Sequence, residues 1–110
     1  MKPHERFKDA HFINHGHRED LEFVGKDQPD PRFNALEDVA INDATIDLTG
    51  GVFVGNRVHF GHQVMLLTTD HPTDVHDGMK RRKILRCAPI TIEDDAYIGS
   101  RAIVLKEIGR

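Results

Sequence analysis

In the stretch LLTTDHPTDVH, residues 66–76, His71 stands between Asp70 and Pro72. An imidazole titrates near ~6.5, so a loop histidine can take a proton from a weakly acidic hydroxyl at neutral pH. A histidine beside proline also serves simply to cap a turn. Just beyond, DVHDGMKRRKILRC carries Lys80, Arg81, Arg82, Lys83 and Arg86. Such a run reads either as a solvated face or as an attractor for an anionic ligand. Nearer the start, His11, His15 and His17 form an H-x3-H-x-H group, with His4 upstream. Imidazole nitrogens bind metals, but no carboxylate or cysteine stands at a fixed ligand spacing beside them, so exposed histidines or contacts to a neighbouring subunit are the simpler reading. The single cysteine, Cys87, has no partner for an internal disulfide, and no activating neighbour marks it as a nucleophile.

Chemistry of this kind needs a rigid support, and the residues around it supply a repeat. From Ile41 the chain reads INDATI DLTGGV FVGNRV HFGHQV MLLTTD. One apolar row is Ile46, Val52, Val58 and Val64, and a second is Leu48, Val54, Phe60 and Leu66. A spacing of six is a multiple of the strand period, so both rows are expected to point inward from short strands. Gly55 and Gly61 recur in phase, where a turn is expected to need relaxed backbone angles. The phase returns in ITIEDDAYIGSRAIVL, with Ile92, Ile98 and Val104 inward, Ala96, Ala102 and Ile108 four residues later, and Gly99 in the glycine position. Residues 1–35 lack the repeat: RFKDAHFINHGHREDLEFVG is read as a short helix and an extended piece, and DQPDPRF (27–33) as a connector. Two segments follow, 1–35 and a repeat region 36–110 with a loop at 68–88.

TGGVFVGNRVHFGHQVMLLTTDHP followed by APITIEDDAYIGSRAIVL resembles the hexapeptide-repeat O-acetyltransferases of the maltose, galactoside and nodulation type. The resemblance implies an all-β fold, a left-handed parallel β-helix in which three hexads make one coil, here about three coils with a protruding loop. It implies a homotrimer with the active site between subunits, and transfer of acetyl from acetyl-coenzyme A to a hydroxyl of a saccharide-like acceptor. In the T-x-x-H-P motif the histidine, here His71, is the general base. Gly99 and Ser100 match the segment whose N–H is a candidate oxyanion donor near the cofactor, and Tyr97 stands where many members have tryptophan. Acceptor binding falls to Asn42 and Asp70, although an ungapped alignment from His71 puts Ile41 where members commonly have asparagine. Glu93 replaces a usual glycine. Where members continue into a further coil bearing much of the coenzyme A surface, this chain reads VLKEIGR, so a weak transferase or an inactive trimeric scaffold is the alternative expectation. His71 and His76, spaced H-x4-H, also look like two zinc ligands of γ-class carbonic anhydrases, with His59 or His62 as the third.

The 110 residues make one small domain, which favours sharing a core between copies. Lys and Arg number 15 against 18 Asp and Glu, a net charge of −3, so nucleic acid is a poor partner. No metal is expected. The charged opening MKPHERFKDAHF shows no apolar signal run, which makes a cytoplasmic protein without a membrane partner the expectation.

Overall fold

The computed structural model describes residues 2–25, 33–72 and 76–106. It is strand-rich, with mostly parallel pairing and only two short helices among the described residues. A helix α1 (Pro3–Arg6) opens with proline at its first turn, where no backbone donor is lost. Three strands follow in the N-terminal part: β1 (His11–Ile13), β2 (Glu22–Val24) and β3 (Phe33–Ala35). Next come β4 (Thr45–Asp47), β5 (Val52–Val54), β6 (His59–Phe60), β7 (Met65–Leu67) and β8 (Thr69–Asp70). After helix α2 (Gly78–Arg82) come β9 (Ile84–Cys87), β10 (Ile90–Ile92), β11 (Tyr97–Ile98) and β12 (Ile103–Leu105).

The sheets are small, with strand orders β1-β4-β7-β12, β10-β5-β3, β11-β6 and β2-β9-β8. Among the described residues outside 68–88, strands consecutive in the chain do not pair. Thr45 instead faces Met65, Val52 faces both Phe33 and Ile90, and His59 faces Tyr97, all in parallel register. Alternation along each strand then sends Val52 and Val54 into the core with Phe53 between them on the outer face. Ile46, Val52, Val58, Val64 and Leu66 are fully buried, and Val54 and Phe60 almost so.

Leu48 departs from its expected row. Three uninterrupted hexads would set Ile46 opposite Val64, whereas it stands opposite Leu66. The corner at 47–51 is longer than a plain hexad corner. It is closed by the Thr49 N–H donating to Asp47 Oδ1 at 3.1 Å and by Gly51 at φ 93°. Leu48 therefore becomes a corner residue, only partly buried.

The in-phase glycines also have a different reason from the one expected. Gly55 and Gly61 do not adopt positive φ; the left-handed corners are made by Asp38, Asn42, Arg57, Gln63, Asp95 and Arg101. What the glycines permit is close approach. A Cβ on Gly55 would lie 2.7 Å from the Asp94 nitrogen, and one on Gly61 would lie 2.5 Å from the Ser100 nitrogen. The next level of chain rests directly on them.

Residues 1–35 join the sheets rather than standing apart. β1 extends the sheet beside β4, and β3 pairs with β5. Phe7 and Phe12 pack edge-on against Phe33 at 5.8 and 5.4 Å, which covers one end of the core. The Arg6 guanidinium donates to the carbonyls of Ala35 and Leu36. Of the connector 27–33, only Phe33 is among the described residues, and Ile108 lies outside them.

Candidate functional site

The excursion that carries His71 leaves and returns at one buried corner. The Thr68 hydroxyl donates to the Asp47 carbonyl at 2.9 Å and accepts the Gly50 N–H at 2.9 Å. Thr69 Oγ1 donates to Asp47 Oδ2 at 2.5 Å. The Ala88 N–H donates to the Thr68 carbonyl at 3.1 Å. Gly50 is required there, because a Cβ would sit 2.6 Å from the Ala88 oxygen. The TGG corner is thus the foundation of the excursion, with Asp47, Thr49 and Thr68 all buried.

Residues 68–88 are more than a loop. β8 pairs antiparallel with β9, and the N-terminal β2 adds in parallel on the other side of β9. α2 starts at Asp77, whose Oδ1 accepts the N–H groups of Met79 and Lys80 at 2.9 and 3.3 Å. Its last turn is basic, with Lys80, Arg81 and Arg82 set near the negative end of the helix dipole.

His71 is held by this small sheet and helix. Its Nδ1 lies 3.0 Å from the Arg81 carbonyl oxygen and 2.7 Å from that of Ile84. Both partners can only accept, so Nδ1 carries the hydrogen. In the neutral ring Nε2 is then the acceptor.

Asp70, expected at the acceptor, is occupied by cations. Arg86 donates to both of its oxygens, at 2.8 and 2.9 Å, and Lys106 Nζ lies 3.3 Å away with a side chain only 6% exposed. Partial burial pushes the Asp70 carboxyl up, but the guanidinium of Arg86 and the ammonium of Lys106 outweigh it and hold it below the usual carboxylate range. Asn42 serves a corner: it sits at φ 49° and its Nδ2 donates to the Phe60 carbonyl at 2.7 Å. Ser100 Oγ accepts the His62 N–H at 3.0 Å, Tyr97 is 71% exposed, and Gly99 has open space where a Cβ would be.

A cavity of about 490 Å³ opens beside His71 and Asp70. Its walls include His15, Arg18, Asp20, Met79, Arg82 and Lys83, and none of Asn42, Tyr97, Gly99 or Ser100. His15 reaches it because its N–H donates to Thr49 Oγ1 at 2.9 Å, tying the N-terminal segment to the TGG corner. Arg18 is paired with Asp20 through Nε at 3.1 Å and Nη2 at 2.5 Å. The sequence marked His15 only as one of a histidine group. Arg18 and Asp20 had no signal at all, since they arrive through the pairing of β2 with β9. A second hollow, of about 530 Å³, lies on the outer face of β3, β5 and β10 and has no histidine.

Among the described residues no three His, Cys, Asp or Glu side chains come together as a metal-binding group. His59 and His62 instead stand beside Asp38 and Asp43, at 3.7 and 3.6 Å. Cys87 is buried in β9. No helix among the described residues is long and apolar enough to cross a membrane. Compared with protein-family models, with curated proteins and with solved structures, the chain has no match in any of the three.

Proposed function

We propose that this chain is an acyl-coenzyme A-dependent O-acetyltransferase of the hexapeptide-repeat kind, with His71 as general base. The observation that carries the reading is the anchoring of His71 Nδ1 by two carbonyl oxygens, which leaves Nε2 as a proton acceptor at a cavity. Nε2 would take the proton of an acceptor hydroxyl as its oxygen attacks the thioester carbonyl. The tetrahedral intermediate then collapses, forming the ester and expelling the coenzyme A thiolate. That thiolate takes the proton back from the imidazolium.

The proposed scaffold is a left-handed parallel β-helix assembled as a trimer. Support comes from the pairing pattern, in which β4, β5 and β6 follow one another before β7 returns beside β4. A trimer would also bring two separated sets of residues together. Tyr97, Gly99 and Ser100 lie outside the His71 cavity, so they share a reaction centre with it only if a neighbouring copy supplies them. The same separation favours the second reading, a scaffold module in which His71 is idle.

The test is release of free thiol from acetyl-coenzyme A in the presence of hydroxyl acceptors, on protein whose mass is fixed by light scattering. His71→Ala should lower turnover by about 10²–10⁴-fold. Turnover that ignores His71, or no turnover with any acceptor, would move the scaffold reading to first place.

A further inference from the structure

We propose that the cavity beside His71 takes an acceptor bearing an anionic oxygen group, a carboxylate or a phosphate, held by Arg82 and Lys83. The word acceptor rests on the transferase reading above; the anion site rests on the charges around the cavity.

Those charges do not cancel. Arg18 is already paired with Asp20, and Asp70 with Arg86 and Lys106. Among the described residues, neither Arg82 nor Lys83 has a carboxylate within ion-pair distance; Lys83 acts on Asp20 only from farther away, and the Arg82 guanidinium contacts Met79 Sδ at 3.1 Å. A thioether is a weak acceptor and neutralises nothing. Both cations also belong to the turn that fixes the base. The carbonyls that hold the His71 ring are those of Arg81 and Ile84, and Arg82 and Lys83 are the two residues between them.

A ligand that presents a hydroxyl to Nε2 therefore meets, on the same wall, two positive charges that no direct ion pair neutralises, Lys83 being shared with Asp20 only at longer range. The cavity, about 490 Å³, is of a size that suits a small molecule. The chain as a whole carries a net charge of −3, so the positive field is local, which suits one anionic group better than a polyanion.

Calorimetric titration of glucose 6-phosphate, glucuronate, glucose and coenzyme A into the full chain, and into an R82Q/K83Q variant, tests this. Both anionic sugars should bind at least about tenfold more tightly than glucose, weaken as salt is added, and lose that advantage in the variant. The salt series on the unaltered protein does not depend on the variant's folding. Equal affinity for glucose, no binding of any sugar, or unchanged affinity in R82Q/K83Q would overturn the proposal. Loss of coenzyme A affinity in the variant without anionic-sugar binding would overturn it too, by assigning the two cations to the cofactor's phosphates. Anionic-sugar binding without His71-dependent turnover would sink the transferase reading and leave the anion site standing. Turnover on a neutral sugar that ignores R82Q/K83Q would do the reverse.

Discussion

Asp70 sits next to His71 in the chain, yet its carboxylate faces Arg86 and the nearly buried Lys106 rather than the imidazole. A lysine held that far from water is costly unless its charge is matched. Asp70→Asn should therefore destabilise the fold by about 1–2 kcal/mol at pH 7, the low end of the range for a lost charged partner because solvent still reaches the carboxylate. The pH dependence has a definite sign. Asp70 titrates below its unfolded value of about 3.9, so its contribution is present above that pH and is lost as pH falls through the folded value. Urea midpoints for the two proteins should thus differ at pH 7 and converge below about pH 4. A gap that stays constant across that range would mean the ion pairs contribute little.

The elements are short, and their stability comes from stacking rather than from their own length. Gly61 shows how tight the stacking is, with the Ser100 nitrogen where a Cβ would press. Gly99 is the matching glycine of the later block and meets nothing. Gly61→Ala should cost roughly 2 kcal/mol or more, because backbone must shift to admit the methyl group. Gly99→Ala should stay within about 0.5 kcal/mol of the parent, or gain slightly through the unfolded chain. Thermal melts of the two variants side by side would read the difference directly. Equal effects would overturn close approach as the reason for glycine at position 61.

The molecule as a whole is elongated, 43 × 26 × 24 Å, and leaves apolar side chains on its outside. Ile103 and Leu105 on β12 are 60% and 61% exposed, beside Met65 and Leu67 of β7 in register. A proposed trimer gives such a face something to cover it. Replacing both with lysine (I103K/L105K) should reduce the mass seen by light scattering from three copies to one, while the circular dichroism of the strands persists. An unchanged mass would place the contact elsewhere or exclude the trimer.

Much of this protein is written in short-range pattern. The inward rows through Val52, Val58 and Val64 were legible because side-chain direction alternates along a strand whatever the strand pairs with. The position of the His71 excursion was legible because the repeat stops there. Tertiary structure decided the rest. Which residue stands opposite Ile46 depends on how the 47–51 corner closes, and that turns on hydrogen bonds of Asp47 and Thr68, not on hydrophobic spacing. The glycine requirement at Gly61 depends on where Ser100 comes to rest, His15 reaches the cavity through its bond to Thr49, and the arrival of Arg18 and Asp20 depends on β2 pairing with β9. Periodicity reports which face a residue occupies. Partners distant in the chain are chosen by corner length and close packing, which leave no periodic trace.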